Sequence, residues 1–369
     1  MQGIPLDADA AAAQTERIPV YGADNSTATA YAEDRYASHA GYDTLSDEQK
    51  QLYNAMKQAA HTFYVGSADA ESVSYSTGTM DCCVAVDTGS QSLNKEDVVR
   101  VISMFRNDNP VYFFLGSSFL YSTDYDFWTG KSYIDMVYLS CAENCTDGTE
   151  RQAERKVLEN QIVTVETKVK AGETALEKAR IAHDWLVDTI TYAYDANGDP
   201  DNSMTSHSIT GVFDAQYHTA VCEGYAKSFQ LLMNAAGVSN FYIVGLGNGG
   251  GHAWNMAQMD DGYYYYFDAT WDDTAQTSKY FAAGETSFSK NHSPYVYDKS
   301  GWEFLYDLPD VPDADYDLQP GTVYLDGDYT YRLFDKYAAL TAYTGDSESV
   351  TVPEKVNGLP VQVIQGAFA

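Results

Sequence analysis

The fold of this protein is decided by residues 219–238, which read TAVCEGYAKSFQLLMNAAGV. Apolar side chains recur there from Tyr225 to Ala236 at the three- and four-residue spacing of one helix face. Gly237 is suited to end the helix, because glycine tolerates the left-handed backbone found just after a helix. The pattern predicts a buried amphipathic helix with Cys222 in its first turn.

A cysteine in the first turn of a helix is suited to nucleophilic chemistry. Backbone N–H groups point toward it there, and the helix dipole favours negative charge, so the thiolate form of Cys222 is stabilised. The same N–H groups can hold an oxyanion formed on a substrate carbonyl. The alternative interpretation is a small apolar side chain buried under the helix. On the residues around Cys222 alone, the buried side chain is the favoured interpretation.

A hairpin downstream of this helix supplies two further polar groups. Residues 244–273 read VGLGNGGGHAWNMAQMDDGYYYYFDATWDD, in which two strand-like runs flank a turn containing Gly262. In the register of a three-residue turn, His252 faces Thr270, so Asp268 is the diagonal neighbour of His252 on the same face of the sheet. Diagonal neighbours lie within about 7 to 8 Å. A slip of one residue would put the two side chains on opposite faces.

These residues together have the composition of a thiol active site. A cysteine nucleophile needs a base that takes its proton, and the base needs a group that fixes its orientation. The spacing indicates Cys222 as nucleophile, His252 as base and Asp268 as the orienting group. Trp254 and Tyr225 are candidates for the wall of the substrate cleft, and the alternative for Trp254 is an indole packed in the core.

Other polar features have plainer interpretations. His183 lies on an apolar helical stripe and is predicted to be a packed, hydrogen-bonded histidine. Residues 195–203, DANGDPDNS, are similar to a calcium loop but lack the closing glutamate, so a plain loop is favoured. The sequence predicts neither a metal site nor a cofactor.

Composition excludes some partners. The chain has 369 residues, with 22 basic and 53 acidic side chains and a net charge of -31, which would repel phosphate backbones and anionic membranes. No run reaches the roughly 18 apolar residues of a membrane span, so neither nucleic acid binding nor membrane insertion is expected. The first residues lack the pattern of a signal peptide, which leaves a cytosolic protein or a removed leader.

The five cysteines leave one unpaired. Cys82 and Cys83 are adjacent, and Cys141 and Cys145 are close in sequence, which suits one or two disulfides in an oxidising compartment. Adjacent cysteines are poorly placed for zinc, so a zinc site is disfavoured. The sequence does not determine the pairing, but it does favour Cys222 as the free thiol.

The chain is predicted to divide into five segments. Ser46 with Gln49 forms a capping box that starts the first clear helix. The segments are a disordered leader or linker (1–40), an N-terminal α+β region (41–170), a catalytic core (171–308), a linker (309–320) and a small β module (321–369).

Three blocks resemble the bacterial transglutaminase-like superfamily: ALEKARIAHDWLVDTITYAYD, AVCEGYAKSFQLLMNAAGV and GHAWNMAQMDDGYYYYFDATWDD, with the motifs VCxGYA, HAWN and DxTWxD in that order. The resemblance covers roughly residues 170–275. It implies a papain-like α+β core in which the helix carrying Cys222 packs on an antiparallel sheet carrying His252 and Asp268, as nucleophile, general base and orienting group. In papain-like enzymes an upstream glutamine donates to the oxyanion, so Gln216 is a candidate, with a surface loop residue as the alternative.

Two further resemblances concern the remainder of the chain. DNPVYFFLGSSFLYS is similar to the region before this core in secreted Firmicutes proteins. ALTAYTGDSESVTVPEKVNGLPVQVIQGAFA resembles the start of a BspA-type leucine-rich repeat region. Together they imply a piece of a larger protein, secreted or on the cell surface of a Gram-positive bacterium.

The predicted function is that of a transglutaminase-like cysteine protease or amide hydrolase acting through a thioester. The expected substrate is a protein or peptide, with cell-wall peptide among the candidates. One alternative is acyl transfer to an amine or deamidation of protein glutamine, which differs only in the group that reaches the thioester. Another is an inactive adhesion module beside the repeats.

Overall fold

The computed structural model describes residues 5–9, 21–22, 30–90, 92–294, 308–316, 322–333, 337–345, 347 and 349–364. The helices are α1 (Asp47–Val65), α2 (Lys95–Asp108), α3 (Gly148–Lys170), α4 (Ala175–Thr189), α5 (Ile209–Phe213), α6 (Cys222–Ala235), α7 (Ala269–Ala275) and α8 (Glu285–Phe288), with 3-10 turns at Ala32–Tyr36, Tyr42–Thr44 and Glu143–Cys145. The strands are β1 (Pro5–Asp9), β2 (Tyr21–Gly22), β3 (Glu71–Tyr75), β4 (Gly78–Asp87), β5 (Leu115–Asp126), β6 (Lys131–Cys141), β7 (Thr191–Tyr192), β8 (Thr219–Ala220), β9 (Asn240–Gly247), β10 (Gly250–Gln258), β11 (Tyr264–Phe267), β12 (His292–Pro294), β13 (Thr322–Asp326), β14 (Tyr329–Leu333), β15 (Ala338–Tyr343), β16 (Lys355–Val356) and β17 (Leu359–Ile364).

The N-terminal region is built on a six-stranded sheet. Its strand order is β1-β5-β6-β4-β2, with β3 paired to β4. Helix α1 packs against β4 and α2. The predicted capping box is confirmed, since Ser46 Oγ accepts from the Gln49 N–H at 3.3 Å and Gln49 Oε1 accepts from the Ser46 N–H at 3.0 Å. Helix α2 ends at Asp108, two residues before Pro110, because the residue before a proline is disfavoured in the helical conformation.

The predicted leader is partly structured, so its boundary at residue 40 is wrong. Tyr36 is buried in the main core, and its hydroxyl donates to Glu166 Oε2 at 2.8 Å. Asn234 Nδ2 on α6 also donates to the Tyr36 carbonyl at 2.8 Å. Strands β1 and β2 belong to the first sheet. The other residues before 30 lie outside the described part of the chain.

The region predicted to be the catalytic core has the expected α+β arrangement. Its four-stranded sheet runs in the order β11-β10-β9-β12, and every neighbouring pair is antiparallel. Helix α6 packs on β10 and β9, and Asn255 Nδ2 of β10 donates to the Ala226 carbonyl of α6 at 2.9 Å. The predicted helix-on-sheet core is therefore confirmed.

Both ends of α6 follow the sequence pattern. The helix begins at Cys222, and its last turn is closed by the Val238 N–H, which donates to the Met233 carbonyl at 2.9 Å. Gly237 has a φ of 72°, the left-handed conformation that favours glycine. Helix α4 is separate from α3, because Thr174 starts it with a capping box of its own.

The expected disulfides are not formed in this structure. All five cysteines are free thiols. Adjacent residues of a strand point to opposite faces, so Cys82 packs in a small cluster with Val73 and Tyr138 while Cys83 faces the main core. Cys83 Sγ donates to the Ser140 carbonyl at 3.2 Å.

The C-terminal region contains a five-stranded sheet in the order β13-β14-β15-β17-β16, in agreement with the small β module predicted there. The last residues of the predicted repeat motif, 365–369, lie outside the described residues. Within the described chain, none of the helices is both long and apolar enough to cross a membrane.

Candidate active site

Cys222 is the first residue of α6, and the backbone around it is closely packed. The parallel pairing of β7 with β8 delivers the chain to the start of the helix. A Cβ at Gly224 would lie 2.6 Å from the Ser206 carbonyl oxygen, so only glycine fits this approach. Cys222 packs with Ala226 and with Ala253 of β10.

The second and third residues of the set meet directly. His252 Nε2 lies 2.8 Å from Asp268 Oδ2, and both side chains are buried. The predicted strand register is confirmed where the ladder runs, since Asn255 pairs with Phe267, and Gly262 has the expected positive φ, 84°.

The prediction that Thr270 faces His252 is wrong. Strand β11 stops at Phe267, and Asp268 becomes the N-cap of α7, where its Oδ1 accepts from the Trp271 N–H at 3.1 Å. An aspartate at this position competes for backbone N–H groups and favours a helix start over a further strand residue. The carboxylate thus reaches His252 from a helix N-terminus rather than across a sheet.

The imidazole of His252 also interacts with the thiol of Cys222. Burial lowers the pKa of His252, but the Asp268 charge and hydrogen bond, together with a hydrogen bond to the Cys222 thiol, raise it overall to about 10. Burial raises the pKa of Asp268, but the two histidines His252 and His292 outweigh it and hold the pKa at about 2. An imidazolium at neutral pH beside a thiol favours the thiolate.

The hydrogen bonds determine which nitrogen faces the thiol. An ionised carboxylate only accepts hydrogen bonds, so the Nε2 atom of His252 carries a proton that it donates to Asp268. Nδ1 is then the nitrogen of His252 available to Cys222. A general base requires this arrangement, in which the orienting group holds one ring nitrogen and leaves the other for the nucleophile.

Gln216, the predicted oxyanion donor, has another partner in the structure. Its side-chain Nε2 donates to Asp214 Oδ2 at 2.5 Å, and its backbone N–H donates to Asp214 Oδ1 at 2.9 Å. The amide is thus held by a local carboxylate, as in an Asx turn. An oxyanion role for Gln216 stays a prediction, to which this geometry adds no support.

The two predicted cleft residues are core residues, so their assignment to the cleft wall is wrong. Trp254 is 1% exposed and packs with Met256 and Phe288. Tyr225 is also 1% exposed, and its hydroxyl donates to Asp273 Oδ2 at 2.6 Å. Their sequence positions are those of interior faces, and large aromatic side chains there stabilise the core rather than contact substrate.

The prediction that His183 is a packed, hydrogen-bonded histidine is confirmed. Its ring is 2% exposed, with Nδ1 3.0 Å from Asp184 Oδ1 and Nε2 3.0 Å from Asp272 Oδ2. Asp272 lies on α7, the helix that Asp268 caps.

In the loop 195–203, Asp195 Oδ1 accepts from the backbone N–H of Asn197 at 2.8 Å, which is typical of a plain turn.

Sequence reasoning missed His292. This buried residue begins β12, and its Nε2 lies 3.1 Å from Asp268 Oδ2. Among the described residues, His252, Asp268 and His292 also form the one cluster of three metal-ligand types, with ligand atoms within 4.8 Å. Hydrogen bonds within the cluster already satisfy these atoms. No motif or spacing signals His292, because only the pairing of β12 with β9 brings it to the site.

A known protein family matches the part of the chain that contains the candidate site. The family model of the transglutaminase-like superfamily matches residues 163–269, which include Cys222, His252 and Asp268 and end before His292. This part of the chain is therefore similar to the transglutaminase-like superfamily.

Two solved structures show weaker similarity. One is a crystal structure of a TGase, with 16% identity, coverage of 41% of this chain and 44% of that chain, and a TM-score of 0.29. The other is the periplasmic domain of TgpA from Pseudomonas aeruginosa, with 12% identity, coverage of 40% and 57%, and a TM-score of 0.27. This chain spans about half the length of these solved chains. No curated protein matches the sequence.

Proposed function

We propose that this protein is a cysteine-dependent amide hydrolase that cleaves protein or peptide substrates through Cys222, His252 and Asp268. The observation that carries the proposal is that the buried His252 Nε2 lies 2.8 Å from Asp268 Oδ2, while the Cys222 thiol interacts with the same imidazole and helps to raise its pKa.

The chemistry divides into two acyl transfers. The Cys222 thiolate attacks the substrate carbonyl carbon, and a carbon–sulfur bond forms as the carbonyl becomes an oxyanion. The oxyanion collapses to a thioester, and the amine leaves with the proton that His252 carries on Nδ1. Water then attacks the thioester and gives one proton to His252. The carbon–sulfur bond breaks, the carboxylic acid leaves, and Cys222 returns to the thiolate beside the protonated imidazole. Asp268 holds the ring through both steps.

The start of α6 is suited to stabilise the oxyanion. The N-cap residue, Val221, makes no side-chain cap to the first turn of this helix. The N–H groups at its N-terminus therefore have no capping side chain and carry the positive end of the helix dipole. We assign the oxyanion donors to the backbone near Cys222 rather than to Gln216.

Hydrolysis is favoured over acyl transfer because no feature of the sequence marks a site for a lysine acceptor. The test is incubation with casein and a labelled amine, alongside a panel of peptides that includes cell-wall stem peptides. New peptide termini that require Cys222 support the hydrolase. Amine incorporation that is lost in Cys222→Ala, without cleavage, overturns hydrolysis in favour of crosslinking. If neither product forms with any substrate, the domain acts as a binding module.

We further propose that this protein is secreted or lies on the cell surface. The support for an oxidising compartment is the sequence pattern of two close cysteine pairs, Cys82 with Cys83 and Cys141 with Cys145. Peptide mapping without reductant, after exposure to oxidised glutathione, tests this. A disulfide among Cys82, Cys83, Cys141 and Cys145 is expected, and unmodified thiols at all four positions would contradict the proposal.

A further inference from the structure

A second histidine reaches the carboxylate that orients the candidate base. His292 pairs with Gly247 as β12 joins the edge of β9. Its Nε2 lies 3.1 Å from Asp268 Oδ2, the same oxygen that lies 2.8 Å from His252 Nε2. One carboxylate oxygen therefore accepts from two imidazoles that come from two different strands.

The other oxygen of Asp268 is also occupied. Oδ1 accepts from the Trp271 N–H at 3.1 Å and so caps α7. Donors from β10, β12 and α7 thus fix the rotation of one buried carboxylate. If the His292 bond were removed, Oδ2 would keep a single side-chain donor, and the carboxylate could rotate about its cap.

The ring of His292 is itself immobilised. It stacks on Phe288 with ring centroids 3.9 Å apart and an interplanar angle of 21°, and the Trp271 ring lies 4.2 Å away. Its Nδ1 is 2.9 Å from Asn291 Oδ1, and the side chain is fully buried. A ring packed against two aromatic side chains and bonded at both nitrogens holds its Nε2 in one position.

We propose that His292 is a positioning residue that holds Asp268 in the orientation in which Oδ2 faces His252. The proposal rests on the function proposed above, since it assigns a role within the same site. It does not place His292 in contact with substrate. The plain alternative is a core histidine that contributes packing alone, and the two make different predictions.

Two substitutions of His292 distinguish the effect of its hydrogen bond to Asp268 from the effect of its packing. His292→Phe keeps an aromatic ring in the aromatic surroundings and removes the donor, whereas His292→Gln places an amide N–H near the position of Nε2. The readout is the rate of Cys222 alkylation by iodoacetamide at pH 6, measured by peptide mass spectrometry. Because hydrogen bonds to charged groups are worth more than neutral ones, we expect His292→Phe to slow alkylation about tenfold and His292→Gln to recover most of the loss.

The matched control is His183→Phe, the same change at a buried histidine that is bonded to Asp272. His183→Phe should disturb core packing as much as His292→Phe does, and it should leave the alkylation rate of Cys222 unchanged. Alkylation of His292→Phe at the wild-type rate would overturn the proposal. So would a His292→Gln variant as slow as His292→Phe, because packing alone would then explain the effect.

A measurement on the unaltered protein keeps the proposal testable if the variants do not fold. Nitrogen-15 spectra of labelled histidine should show His252 and His292 both protonated at Nε2, with strongly downfield protons. An unprotonated Nε2 on His292 would overturn the proposal. Failure of the function is distinguishable: if the wild type cleaves no peptide yet His292→Phe slows alkylation, the hydrolase is wrong and the positioning role stands.

Discussion

Replacing Asp268 by Asn tests how the site activates its thiol. The change keeps the size of the side chain and the oxygen that caps α7, but it removes the charge 2.8 Å from His252. Charge centres about 4 Å apart in an effective dielectric of about 20 attract by about 4 kcal/mol, which corresponds to about three pKa units. This agrees with the rise of the His252 pKa from 6.5 to about 10.

Without that charge, the imidazolium that stabilises the Cys222 thiolate is lost at neutral pH. We expect alkylation of Cys222 at pH 6 to slow by between about a hundredfold and a thousandfold in Asp268→Asn. The assay is the second-order rate with iodoacetamide between pH 5 and 10, followed by mass spectrometry of the peptide that contains Cys222.

The matched control is Asp272→Asn, which breaks an analogous buried contact, 3.0 Å from His183, on the same helix. Its cost to folding should be similar, and its effect on alkylation should be small. A wild-type alkylation rate in folded Asp268→Asn would refute the reasoning. An equal loss in both variants would show that the effect comes from general loosening of α7.

Three further outcomes follow from the same structure. The raised pKa of His252 contributes stability that is complete below pH 6.5 and is lost as pH rises toward about 10, so urea unfolding should show this loss in the wild type and not in His252→Gln. Gly224→Ala should destabilise the protein by about 1–3 kcal/mol, because its Cβ would lie 2.6 Å from a carbonyl oxygen. The control is Gly250→Ala, in which the nearest contact of the added Cβ is 3.7 Å away. Equal melting temperatures of the two variants would contradict the expectation. Gln216→Leu should reduce peptide cleavage by less than the roughly hundredfold loss expected of an oxyanion donor, and a larger loss would restore the predicted role.

The parts of the site with local signals could be predicted from the sequence. The helical spacing after Cys222 and the glycine at 237 fixed both ends of α6, and the turn at Gly262 fixed the register of β10 and β11. The end of β11 could not be predicted in this way. Strand propensity and the capping tendency of Asp268 compete there, and the tertiary contact with His252 decides in favour of the cap.

The non-local parts had no such signal. His292 reaches Asp268 only because β12 adds to the edge of β9, which leaves no periodic pattern in the sequence. Burial of Trp254 and Tyr225 likewise depends on which elements cover them. An aromatic residue beside a catalytic motif is compatible with either a cleft wall or a core, so the sequence alone favours neither.

The central claim is that Cys222 forms a thioester with the acyl part of an amide substrate. Rapid acid quenching of the protein with a cleavable peptide, followed by mass spectrometry, tests it directly. We predict an acyl adduct on the peptide containing Cys222 that decays in water at the rate at which the acid product forms, and no adduct or product in Cys222→Ala. Product formation that persists in Cys222→Ala, or an adduct located on another residue, would contradict the account.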